Sequence, residues 1–211
     1  GTAAVLAAAL TGTVQDTSGD GLTGAMTITG DNPTPTQLQT INNGTNATIK
    51  VQDKTFTLSS TAAVLAEALA GTVTDTADAA LTGAVTVSDD ATASIAATVL
   101  STIGGGTSGT VTVSNAITIT GDTSQVIAAL DTESTKVTAA TAKVTLSDTP
   151  SLANLKKIND ATSGVIKILS GAQTYSGTAA DLSLALHGTV TDGSGNALTG
   201  AMTITGGNPN A

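Results

Sequence analysis

The sequence predicts an α/β repeat solenoid, with coils of about 29 residues, each a short helix plus two short strands, paired into repeats of about 59 residues. Three observations predict it. The chain repeats itself along its length. Within each copy, apolar residues at helical spacing give way to strict alternation of apolar residues with Thr. Thr, Ala and Gly supply nearly half of the 211 residues, which suits a thin core of small side chains.

The repeats are direct. Residues 2–34 read TAAVLAAALTGTVQDTSGDGLTGAMTITGDNPT, residues 178–210 read TAADLSLALHGTVTDGSGNALTGAMTITGGNPN, and residues 61–90 read TAAVLAEALAGTVTDTADAALTGAVTVSDD. A divergent fourth copy begins at Thr123. Between them lies a second half-unit: QLQTINNGTNATIKV at 37–51 aligns without a gap to NLKKINDATSGVIKI at 154–168, and VLSTIGGGTSGTVTV at 99–113 is a looser third copy. The organisation expected is repeat 1 over 1–60, repeat 2 over 61–122, a divergent repeat 3 over 123–177, and the first part of a fourth over 178–211. Neither end shows a polar capping repeat, so the chain reads as a segment of a longer array.

Each half-unit opens with a helix. Ala62, Leu65 and Leu69 recur at helical spacing, with Val64 and Ala68 beside them. Thr34-Pro35 and Thr149-Pro150 each place a capping Thr before a Pro at the first helical position. Asp122 and Gln125 have capping-box spacing, and Gly12, Gly71 and Gly188 mark stops. Two strands follow each helix. In 109–120, Val111, Val113, Ile117 and Ile119 alternate with Thr110, Thr112, Thr118 and Thr120; Phe56 and Leu58 alternate with Thr55 and Thr57. Asp16–Gly21, Ser114-Asn115 and Asp192–Asn196 are turns by composition. The pattern fits either a hairpin or an arc that sends the second strand into another sheet. A lone coil buries too little to offset its conformational entropy, so stacked coils are expected. The rival is a string of small α+β domains of about 59 residues.

Composition removes several functions. There is no Cys and no Arg, one His, and a net charge of −9. Nucleic-acid binding lacks its basic footprint, no apolar run is long enough to span a membrane, and thiol chemistry is absent. No residue set is assigned a catalytic role, and the chain is not expected to be an enzyme. A hydrolase in the style of parallel β-helix lyases would want Asp with Arg or Lys clustered on one sheet, and the lack of Arg weakens it. His187 ends the helix over 178–186, where a cation favours the C-terminus. The turns carrying Asp16, Asp20, Asp192 and Asn196 are calcium candidates, since hard cations take several oxygens from alternating positions. The alternative is a plain polar turn: the copy at Asp75–Asp78 has lost its glycines. No other cofactor is expected. If coils stack in register, the pairs Thr27/Thr29, Thr55/Thr57, Thr110/Thr112, Thr118/Thr120 and Thr203/Thr205 would form a flat threonine face for ordered water or ice, although Lys50, Lys143 and Lys167 interrupt equivalent ranks.

The phrases TAAVLAEALAGTVTD, NLKKINDATSGVIKI and LTGAMTITGDNP resemble the tandem-repeat regions of giant secreted and cell-surface proteins of marine bacteria and cyanobacteria. That resemblance implies an extracellular or cell-surface protein of adhesin, surface-coat or filament type, and carries over no functional residue. The expected role is a structural segment forming a stalk, surface layer or filament by self-association. The second expectation is a binding module: a calcium-stiffened adhesin, or an ice or glycan binder using the Thr-rich face.

Overall fold

The computed structural model describes residues 1–12, 14–135, 137–170 and 173–206. Among them are seven helices: α1 (Ala3–Ala9), α2 (Pro35–Asn43), α3 (Ala62–Leu69), α4 (Ala97–Gly105), α5 (Thr123–Leu130), α6 (Leu152–Ala161) and α7 (Ala179–Leu186). The strands of the first half are β1 (Met26–Thr27), β2 (Ile49–Val51), β3 (Leu58–Ser60), β4 (Val73–Asp75), β5 (Val85–Val87), β6 (Ser94–Ala96) and β7 (Val111–Val113). The second half adds β8 (Thr118–Gly121), β9 (Val137–Thr138), β10 (Lys143–Leu146), β11 (Ile166–Ile168), β12 (Tyr175–Gly177), β13 (Val190–Asp192) and β14 (Met202–Ile204). The architecture is mixed α/β with several parallel sheets and, among the described residues, no closed barrel.

The helix starts follow the local chemistry. Thr34 caps α2 through a full capping box with Gln37, with Pro35 in the first turn, and Asp122 does the same for α5 with Gln125. The third expected start is corrected. The N-cap of α6 is Ser151, whose hydroxyl accepts from Asn154 N–H, and Pro150 lies outside the helix. The Thr149 hydroxyl is engaged elsewhere, 2.5 Å from Ser170 Oγ.

Two compact units divide the chain. The first comprises 1–89 with 102–114, the second 90–101 with 115–211. In the first, α2 packs between α1 and α3, and the sheets are β1-β2-β4 and, in the order β3-β5-β7, a second one. In the second, α6 packs between α5 and α7, and the sheets are β13-β11-β10-β8-β6 and β12-β14. The cores are aliphatic: Leu38, Ile41, Ile49 and Leu65 in the first unit, and Ile119, Val144, Leu155 and Ile166 in the second, have no exposed surface.

Strands within each unit pair in parallel, so arcs rather than hairpins join successive strands. β2 and β3 are consecutive yet belong to different sheets. In the five-stranded sheet, Ile95, Ile119, Val144, Ile166 and Val190 share one column, recurring roughly every 24 residues. Helix starts recur at the longer spacing of about 29 residues. The mismatch makes the sheets drift relative to the helices. β8 and β10 are the second strands after α4 and α5, whereas β11 and β13 are the first strands after α6 and α7. The coils therefore do not repeat as identical rungs.

Candidate functional site

The Asp turns are built alike. Asp16 Oδ1 accepts the N–H groups of Ser18 and Asp20 at 2.8 and 3.1 Å. Asp192 Oδ1 accepts those of Ser194 and Asn196, both at 2.8 Å. Asp75 Oδ1 accepts those of Ala77 and Ala79, again at 2.8 Å. In each turn the Asp N–H donates to the carbonyl four residues on. The fourth residue of each turn takes positive φ: Gly19 and Gly195 at 85°, and Asp78 at 63°. An Asp tolerates the left-handed region better than most side chains, so the loss of the glycine leaves the turn intact. Asp78 also reaches Lys50 at 2.8 Å, and Asp75 reaches Lys54 at 3.5 Å. The backbone N–H of Ala79 at Asp75, and that of Asn196 at Asp192, hold both carboxyls below the usual Asp range.

These turns fold the chain back on itself, in the second and third cases against the strand that the Asp ends. Isolated antiparallel bridges join Gln15 to Gly21, Thr74 to Ala80 and Thr191 to Ala197. β4 and β13 each end a sheet, and the folded-back segment covers that outer edge. Covering an edge is how β proteins prevent unwanted strand addition. Asp16 and Asp20 thus lie in one turn, and Asp192 and Asn196 in another, in different units. In both, the first carboxylate spends Oδ1 on its own backbone. Among the described residues no cluster of three or more His, Asp or Glu could hold a metal ion.

The threonine pairs do not share one face. Thr27 pairs with Lys50, Thr112 with Thr86, Thr118 with Lys143, Thr120 with Thr145, and Thr203 with Ser176; these lie in four sheets. Thr55 and Thr57 precede β3 and belong to no strand. The drift of the strand columns separates them, and Lys50, Lys143 and Lys167 each stand in a rank beside Thr.

Two repeated polar devices were not singled out from the sequence. The first is a buried threonine. Thr45, Thr107 and Thr162 donate their hydroxyls to the carbonyls of Leu22 (2.7 Å), Leu81 (3.0 Å) and Ala142 (2.5 Å) in the preceding half-unit. Each hydroxyl also accepts the N–H two residues on. The second is an asparagine that reaches from one helix to the end of the next. Asn42 donates to Glu67 O at 2.6 Å, and Asn159 donates to Leu184 O and Ala185 O at 3.3 and 3.4 Å. His187, the C-cap of α7, lies with its Nδ1 2.6 Å from Asn159 Nδ2. Both devices fall on positions shared by the gap-free alignment of 37–51 with 154–168, which was the available signal.

Shallow hollows open beside these asparagines. One is lined by Asn159, Thr162, Ser163 and His187, the other by Asn42, Thr45, Asn46 and Gly71. Since they occupy equivalent places, they are products of the repeat. No family model matches this sequence. No curated protein and no solved structure matches it either. Among the described residues no helix is long and apolar enough to cross a membrane.

Proposed function

We propose that this chain is a structural segment of a long extracellular or cell-surface repeat protein, folded as an α/β solenoid and serving in a stalk, surface layer or filament. The observation that carries the reading is the buried threonine at 45, 107 and 162, which ties the second half-unit of three successive repeats to a carbonyl of the half-unit before it. A buried hydroxyl must be satisfied or it destabilises, so this tie fixes how neighbours stack. The Asp turns and the inter-helix asparagines recur in the same way. Among the described residues chemistry of this kind is distributed along the chain, as a scaffold requires. The resemblance to repeats of giant secreted bacterial proteins agrees with it.

Electron micrographs and fibre diffraction of the intact protein test the reading. Elongated particles or filaments are expected, with an axial spacing near 5 Å from strands stacked in parallel. Isolated globular monomers would overturn it. A binding module is the second reading, favoured by Thr86 beside Thr112 and Thr120 beside Thr145 on strand faces, and by the exposed Asp turns. Thermal hysteresis would support ice binding, and a melting shift on chelation would support calcium at Asp16, Asp20, Asp192 or Asn196.

A further inference from the structure

Two lysines depart from the repeat, and both departures fall on one sheet face. Lys143 opens KVTLSD at 143–148, where the aligned AVTVSD at 84–89 has Ala84. Lys167 aligns with Lys50, but their surroundings differ. Lys50 reaches Asp78 at 2.8 Å, whereas the position aligned with Asp78 is Gly195. Lys50, Lys54, Lys156 and Lys157 each have an acidic partner at 2.5–3.5 Å. Among the described residues Lys143 and Lys167 have none.

The sheet β13-β11-β10-β8-β6 lies wholly within the second unit. Its column of Ile95, Ile119, Val144 and Ile166 is buried, so the residues one position away face outward. On that outer face Lys143 shares a rank with Thr118 and Ser94, and Lys167 shares the next rank with Thr145 and Thr120. The two lysines stand on adjacent strands, two residues apart, which sets their backbones about 8 Å from each other. Lys143 and Ser94 are exposed, and Lys167, Thr118 and Thr145 are half-buried. The hydroxyls of Thr118 and Thr145 have no hydrogen-bond partner among the described residues. Neither rank holds an acidic residue, so a chain of net charge −9 carries a local positive site here.

We propose that this face binds a sulfated polysaccharide, with the ammonium groups of Lys143 and Lys167 on its sulfate esters and the hydroxyls of Thr118 and Thr145 on its ring hydroxyls. Lysine presents a compact point charge without the planar fork that matches a carboxylate, which favours sulfate. The composition of the face favours a glycan over a protein. Protein interfaces are poor in Lys, Ser and Ala, and their hot spots are poor in Leu, Ser, Thr and Val. Lys, Ser, Thr and Ala make up both ranks, and the exposed aliphatic residues bordering Lys167 in sequence are Val165 and Leu169. Single-stranded nucleic acid would want stacking aromatics, of which the ranks hold none. The proposal deepens the binding reading and rests on it; the scaffold reading stands or falls separately.

The test passes the full chain over immobilised dextran sulfate, neutral dextran, polygalacturonate and poly-Glu at low ionic strength, where screening is weakest. Dextran sulfate is expected to retain it most strongly, and neutral dextran not at all. Lys143→Gln and Lys167→Gln should each weaken that binding about threefold to fivefold, the scale of one exposed ion pair. Gly195→Asp should weaken it as Lys167→Gln does, by giving Lys167 the partner that Lys50 has; Asp78, with φ of 63°, shows that the turn accepts Asp there. Lys50→Gln should leave binding unchanged. All four substitutions lower the net charge by one, so charge alone predicts equal effects. Equal losses in Lys50→Gln and Lys167→Gln overturn the proposal, as does binding to polygalacturonate or poly-Glu that matches dextran sulfate. Thermal hysteresis or a melting shift on chelation, without retention on dextran sulfate, keeps the binding reading and overturns this ligand.

Discussion

Asn159 of α6 caps a helix that is not its own. Its side chain is 5 % exposed and reaches the end of α7, where Nδ2 donates to the carbonyls of Leu184, Ala185 and His187 and lies 2.6 Å from His187 Nδ1. Helix ends leave carbonyls without intrahelical partners, and here the neighbouring helix satisfies them. Asn42 does the same for α3 through Glu67 O. Beside it stands Gly71, where any Cβ would meet the Asn42 side chain. The glycine stop read from the sequence at 71 therefore serves a second purpose, making room for an asparagine, whereas Gly188 is required by its φ of +79°.

Replacing Asn159 by Ala is expected to cost about 1–3 kcal/mol, because buried carbonyls lose their donor. His187→Ala should cost less than about 0.5 kcal/mol, within the ordinary range of surface substitutions. Thr11 and Ala70 already occupy the equivalent position. Urea melts of the two variants check the ranking, and equal losses would point to the imidazole as the partner that matters.

The same substitution should act with opposite signs at two threonines. Thr162→Val removes a buried donor from Ala142 O and an acceptor from Gly164 N–H, and should cost about 1–3 kcal/mol. Thr191 is also buried, yet its Oγ1 has no partner among the described residues. Thr191→Val is isosteric there and should be neutral or stabilising. A loss at 191 comparable to that at 162 would show that something other than the described residues binds that hydroxyl.

Local features were legible in the sequence because their causes are local. The capping boxes at Thr34 and Asp122, the turn at Asp192, and the buried alternation of Val111, Val113, Ile117 and Ile119 each depend on residues within a few positions. Ser151 was missed as a cap because Thr149-Pro150 offered a competing start two residues earlier. Register was not legible. Whether Thr118 faces another Thr or Lys143 depends on a strand some 25 residues away, and the different spacings of helices and strands move that partner from coil to coil. The threonine pairs are therefore spread over several sheets, with Lys50, Lys143 and Lys167 in ranks beside Thr. The asparagine bridges were written in the shared Ile-Asn of 41–42 and 158–159, but a polar residue in a helix names no partner until the neighbouring helix is in place.

Gly83 should be intolerant of any side chain. It has no left-handed φ; the restriction is the Phe56 carbonyl lying where Cβ would go. Gly83→Ala must push β5 away from the segment before β3, and overpacking of this kind costs about 1–3 kcal/mol or more. Gly19→Ala is a different case. Its φ is +85° with open space around it, so the cost is conformational, about 1 kcal/mol. Thermal melts should rank Gly83→Ala as the more damaging, with faster hydrogen exchange in β5.

Acid should weaken the fold through the carboxylates that hold turns and caps. Backbone N–H groups hold Asp75, Asp122 and Asp192 below the ordinary value of 3.8; the largest causes are Ala79, Gln125 and Asn196 respectively. The Thr55 hydroxyl does the same for Asp53, and the Asn43 amide holds Glu67 below 4.5. A carboxyl whose folded value is depressed stabilises the fold above its unfolded value. It loses that contribution as pH falls through the folded one. Stability should therefore be flat from neutral pH to about pH 4.5 and decline below it. Glu67 is exposed and the four Asp are partly exposed, so each contribution is small and screened by salt. Asp192→Asn keeps an Oδ1 acceptor for Ser194 and Asn196 but does not titrate. The acid decline in Tm should be shallower in this variant than in the native chain, measured from pH 7 to pH 2. An identical decline in both would remove this turn from the acid response.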